Sequence, residues 1–178
     1  MVVAPFLQIY DINNMKNVLG SHRAIAWDYD DTLIGNSSST LFQDWIRAHP
    51  EQEHYIITFR NKADAELIPA ELRRLGFSHE YFRDIFYTED KFWNEYFELP
   101  ESLRKLDSFN NLKRARPLKY HNLTNSAINN IKYTVGSWKP RIAQSLGCTL
   151  LVDDLVDLIQ PHCAEFGVTF VDSWNPYD

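Results

Sequence analysis

The chain has 178 residues, which suits one domain with a full hydrophobic core. Its 44% hydrophobic and 24% charged content is that of an ordinary soluble protein, and no apolar run reaches transmembrane length. A net charge of -6 argues against an extended basic surface for nucleic acid, and Cys148 and Cys163 are too few for a disulfide framework. The apolar start, Met1 to Tyr10, lacks a basic region and a cleavage signal. A cytoplasmic protein with no membrane partner is the expectation.

In chain order, Phe6 to Tyr10 reads as a peripheral strand and Asn13 to Leu19 as a short helix closed by Gly20. Ala24 to Trp27 is an apolar run of buried-strand length. It runs directly into Asp28, Asp30 and Asp31, followed by Thr32. Thr40 and Gln43 have the spacing of a capping box, and Leu41, Trp45 and Ala48 mark a helix that stops before Pro50. His54 to Thr58 is a second strand with a polar end, Thr58-Phe59-Arg60-Asn61. Ala65, Ile68, Leu72 and Leu75 predict a helix ended by Gly76, and Asp84 to Thr88 a third strand.

From about 89 to 137 the pattern becomes mainly helical and partly basic. These residues are expected to form a small insertion or lid in the α/β core. Phe92, Trp93, Tyr96 and Phe97 suit packing onto the core, or a stacking platform for a base. Arg104-Lys105 and Lys113-Arg114-Ala115-Arg116 suit a solvated loop, or one that steers an anionic substrate. Ile128, Ile131 and Val135 have helical spacing, although Ile131 to Val135 also suits a strand. Pro140 favours the first position of a helix, which places Lys139 at its N-terminus. Thr149 to Val152 is a fourth buried strand, ending in Asp153-Asp154 with Asp157 one turn on. A helical stretch through Cys163 and Phe166 leads to Gly167 and a last strand, Val168 to Val171.

Strands alternating with helices imply a Rossmann-like parallel sheet covered on both faces. Active sites of such sheets lie outside the carboxyl ends of the strands. Asp28, Asp30, Thr32, Thr58, Lys139, Asp153, Asp154 and Asp157 all fall at that edge. Clustered carboxylates need an offsetting cation, and Mg²⁺ suits a site made of oxygen ligands. An aspartate can attack phosphorus, a second carboxylate two residues on can move protons, and Thr58 and Lys139 can hold phosphoryl oxygens. Arg60 can contact the substrate phosphate or form a surface ion pair. Asp31 suits a turn.

Asp28-Tyr29-Asp30-Asp31-Thr32-Leu33 resembles motif I of the haloacid dehalogenase (HAD) superfamily. Thr58 resembles motif II, Lys139 motif III, and Asp153-Asp154 with Asp157 motif IV, in the family's order. The resemblance covers residues 22 to 171. It implies a Mg²⁺-dependent phosphomonoester hydrolase, with Asp28 as nucleophile and Asp30 as general acid/base. It further implies Mg²⁺ held by Asp28, the backbone of Asp30, and Asp153 or Asp154, with Asp157 a further candidate because the Asp153 to Asp157 spacing matches one variant of motif IV. Thr32 and Arg60 are the candidates for contact with the substrate. A phosphorylated small molecule or nucleic-acid end is the implied substrate, although Leu155 stands where end-repair relatives commonly carry arginine. Alternatives are a phosphotransferase or mutase of the same superfamily, and an inactive protein that keeps the fold. A signalling receiver domain is excluded by motif order, because the Asp153 cluster follows Lys139.

Overall fold

A computed structural model of the protein describes residues 12–88 and 124–176. The expected strand at Phe6 to Tyr10 lies outside the described residues, as do the aromatic and basic stretches between 89 and 123. Five strands form one sheet: β1 (Ala24–Trp27), β2 (Glu53–Asn61), β3 (Asp84–Thr88), β4 (Leu150–Asp153) and β5 (Thr169–Asp172). Every neighbouring pair is parallel, in the order β3-β2-β1-β4-β5. Six described α-helices accompany them: α1 (Ile12–Gly20), α2 (Ser39–Ala48), α3 (Leu67–Arg74), α4 (Asn125–Gly136), α5 (Trp138–Ser145) and α6 (Val156–Cys163). This is an α/β fold of the Rossmann-like kind. None of the described helices is long and apolar enough to cross a membrane.

Strand periodicity splits the core into two layers. Successive strand residues point to opposite faces. Ile25, Trp27, Ile56, Leu150 and Val152 join Met15, Phe42, Ile46, Ile68 and Leu72, from α1, α2 and α3, on one face. Ala24, Ala26, Ile57 and Leu151 join Ile128, Val135, Ala143, Ile159 and Cys163, from α4, α5 and α6, on the other. Both faces of the sheet are therefore covered, which is why β1 and β4 are buried at every position. Cys148 and Cys163 are free thiols packed in the second layer, where burial pushes both up to about 12.

Two local expectations change. The helix after the acidic turn does not use Thr40 and Gln43 as a capping box. It begins at Ser39, and the Gln43 amide instead donates to the Leu33 carbonyl at 2.7 Å. Asn36 Oδ1 accepts from the Ser38 N–H at 2.8 Å, and Ser39 Oγ donates to the Thr32 carbonyl at 2.8 Å. The Ser39 and Gln43 side chains thus pair the Thr32 and Leu33 carbonyls of the acidic loop. Ile131 to Val135, whose sequence suits a helix or a strand, lies in the second half of α4. Thr124 caps that helix by accepting from the Ala127 N–H at 3.1 Å. Trp138, rather than Pro140, begins α5, so Lys139 and Pro140 share its first turn.

Helix α4 crosses α6 at Gly136. A Cβ there would lie 2.5 Å from the Leu158 carbonyl oxygen and 2.5 Å from the His162 ring. Backbone cannot yield as a side-chain tip can, so Gly136→Ala is expected to cost about 1–3 kcal/mol through overpacking. Chemical denaturation checks this; an unchanged midpoint would show that the helices separate freely.

Candidate functional site

The chain leaves β1 for β2 and β3 on one side of the sheet and later fills β4 and β5 on the other. The order reverses between β1 and β4, the kind of crevice in which open α/β sheets bind ligands. Asp28 follows β1 directly and Asp153 ends β4, so the topology itself makes them neighbours. The Asp28 N–H donates to the Val152 carbonyl at 2.8 Å, which pins the start of the acidic loop to β4.

Lys139 joins the two acids. Its ammonium lies 2.7 Å from Asp28 Oδ1 and 2.7 Å from Asp153 Oδ2, and the lysine is 0% exposed. It also sits 4.4 Å from the centre of the Phe59 ring, which closes the apolar side of the charge. Asp153 Oδ1 accepts from the Leu155 N–H at 2.9 Å, so both oxygens of Asp153 are engaged. Asp154 is half-buried beside Asp28. One carboxylate oxygen from each of Asp28, Asp153 and Asp154 falls within 4.8 Å of the others.

The electrostatics follow from this crowding. Burial raises the Asp28 carboxyl well above its usual range; Lys139 pulls it down while Asp153 and Asp154 push it further up. Burial and then Asp153 raise Asp154 to about 6. Burial works against the Lys139 charge, but Asp153 and Asp28 outweigh it and hold the ammonium above its ordinary value. Three carboxylates thus face one fixed cation. A donor set made only of carboxylate oxygens, with negative charge in excess, fits a hard divalent cation.

Asp30 is not part of this convergence. Its side chain is 47% exposed and is gripped by Arg60, with Nε 2.8 Å from Oδ2 and Nη2 2.6 Å from Oδ1. Arg60 Nη1 lies 2.9 Å from Glu71 Oε2, so all three guanidinium nitrogens face carboxylates. Of the two readings of Arg60, the described contacts are those of an ion pair. Thr58 is buried at the same edge, and its Oγ1 accepts from the Arg60 N–H at 3.1 Å, leaving the hydroxyl proton to donate. The Thr32 hydroxyl is buried without a hydrogen-bond partner among the described residues. Asp157 is exposed in the first turn of α6, outside the three converging carboxylates. Asp31 adopts a left-handed backbone, with φ of 53°, in the turn that the Ile34 N–H closes onto the Tyr29 carbonyl at 3.0 Å.

Sequence reasoning missed Ser173. It is fully buried just beyond β5, where its N–H donates to the Asp153 carbonyl at 3.0 Å and its hydroxyl to the Asp31 carbonyl at 2.9 Å. Asn36 donates to the same Asp31 carbonyl and, at 3.1 Å, to Ser173 Oγ. The loop carrying Asp28 to Thr32 is therefore tied to the ends of both β4 and β5. The available signal was position, since Ser173 follows the last strand at the carboxyl edge.

Fold and site together define an α/β protein with a buried lysine-bridged acidic centre at its topological switch point. No protein-family model, curated protein or solved structure matches the chain.

Proposed function

We propose that the protein is a Mg²⁺-dependent phosphomonoester hydrolase of the HAD type that works through a phosphorylated Asp28. One observation carries this reading: Asp28, buried and bridged by Lys139 to Asp153, sits beside Asp154 at the switch-point crevice. A site built only to stabilise the fold has little use for three crowded carboxylates, because buried ion pairs add little net stability.

In the proposed reaction Asp28 attacks phosphorus and the ester oxygen leaves with a proton from Asp30. Asp30 then takes a proton from the water that hydrolyses the acyl phosphate. Thr58, with its free hydroxyl proton, and the Lys139 ammonium hold phosphoryl oxygens. Asp28, the Asp30 carbonyl and Asp154 would hold Mg²⁺, Asp154 being preferred to Asp153 because Lys139 already offsets the Asp153 charge. When bound, the metal neutralises the carboxylates and lets a phosphate dianion approach. The substrate is a phosphate monoester of a small molecule or a nucleic-acid end. Hydrolysis of nitrophenyl phosphate that requires Mg²⁺ and stops on chelation is the expected result; hydrolysis indifferent to chelation would sink the metal-dependent reading.

The raised Asp154 gives a pH signature. In the metal-free fold it keeps its proton up to about 6, against an ordinary 3.8. Between those values the folded state binds more protons than the unfolded one, so this group's contribution to stability falls as pH rises. Protons also compete with Mg²⁺ for the same oxygens. The melting-point increment from Mg²⁺ is therefore expected to grow from pH 5 to 7, and to lose most of that slope in Asp154→Asn. An increment independent of pH in the unaltered protein would contradict the assignment.

A further inference from the structure

We propose that Arg60 is a positioning residue that aims the Asp30 carboxyl, with Glu71 and Tyr29 fixing Arg60 in turn; this rests on the phosphatase reading above. Asp30 sits half-exposed on a loop, so burial alone does not set its rotamer. The guanidinium supplies what packing does not. Two N–H groups meet the two carboxylate oxygens at 2.8 and 2.6 Å, a bidentate geometry that fixes both position and plane. Each oxygen keeps a second lone pair at which a proton can attach, and the guanidinium charge favours that proton's release.

Arg60 is itself held from three sides. Glu71, on α3, accepts from Nη1 at 2.9 Å and from the Tyr29 hydroxyl at 2.9 Å, and the Tyr29 ring lies 4.8 Å from the guanidinium carbon. Tyr29 adjoins Asp30 in the chain, so the four side chains close a ring that starts and ends on the acidic loop. The Arg60 N–H also donates to Thr58 Oγ1, so one residue orients both the proton carrier and a phosphate-holding hydroxyl. An ordinary exposed ion pair would need none of this support and would leave the reaction untouched.

The step concerned is the first one. Asp28 Oδ bonds to phosphorus, the phosphorus–ester oxygen bond breaks, and the Asp30 proton goes to the departing oxygen. A nitrophenolate leaves without that proton, whereas a phenolate or alkoxide needs it. Misplacing the donor should therefore penalise poor leaving groups selectively, a pattern that general damage to the fold would not produce.

The test compares kcat/KM for nitrophenyl and phenyl phosphate in Arg60→Met, Arg60→Lys and Glu71→Gln, with Asp30→Asn and Asp28→Asn as references. Arg60→Met is expected to lower the phenyl ester by roughly 30- to 100-fold and the nitrophenyl ester by less than about 5-fold, mostly in kcat. Arg60→Lys should restore part of the loss, Glu71→Gln should show the same split more weakly, and Asp30→Asn should show it more deeply. If Arg60→Met does not fold, Arg60→Lys and Glu71→Gln carry the same comparison. Equal losses on both esters, or no loss, would overturn the role of Arg60 while leaving the phosphatase reading intact. No turnover in the unaltered protein, or turnover that survives Asp28→Asn, would overturn the phosphatase reading itself.

Discussion

Replacing Asp28 with asparagine is expected to reduce phosphate-ester hydrolysis by on the order of 10³-fold or more, down to the background of the assay. The amide is nearly the same size as the carboxyl, so the site keeps its shape. It has no anionic oxygen with which to attack phosphorus. The lysine keeps one partner, because Asp153 Oδ2 remains 2.7 Å away, so the variant should fold. Loss of activity with a retained melting transition is the informative combination. Turnover at near-normal rate would remove Asp28 from the chemistry and leave the cluster without its main role.

Lys139→Met should have the largest effect on stability. The methionine fills a similar volume but leaves Asp28 and Asp153, both buried, without their fixed counter-ion. Removing one partner from a buried ion pair costs about 3–5 kcal/mol. In a domain of this size that corresponds to a melting point lower by roughly 10 °C. The mechanism also predicts what repairs it. Acidification, which protonates the stranded carboxylates, and Mg²⁺, which replaces the missing charge, should each recover part of the loss. Adding Asp153→Asn to Lys139→Met should cost less than the sum of the single changes, because the two residues are in contact. A calorimetric melting point unchanged by Lys139→Met would contradict the account of how the site is held together.

Much of the frame was legible because it depends on position along the chain. Ala24 to Trp27 and Thr149 to Val152 are apolar runs ended by acids, and residues ending parallel strands share an edge. Pro140 placed a helix start near Lys139, and so brought a cation to the same edge. Orientation was harder to read. Asp153 and Asp154 are adjacent and point differently, one engaged by Lys139 and the Leu155 N–H, the other facing Asp28, and nothing in their order says which does which. Asp157 has suitable spacing, but its turn of α6 leaves it exposed. Arg60 was recognised as a candidate, yet its partners arise 30 residues before it and 11 after it, through side-chain reach that no period reports. Thr40 and Gln43 matched a capping pattern, but the Gln43 amide goes to the Leu33 carbonyl of the neighbouring loop instead.

The central claim is that Asp28 forms a covalent bond to the phosphoryl group. It is tested most directly by rapid acid quench of the Mg²⁺-loaded protein turning over a phosphate ester, followed by peptide mass analysis. The account predicts one phosphoryl group on the peptide containing Asp28, absent in Asp28→Asn. Borohydride, which reduces an acyl phosphate and releases its phosphate, should convert that one aspartate to homoserine. Sustained turnover with no phosphorylated intermediate, or with the phosphoryl group on another side chain, would contradict it.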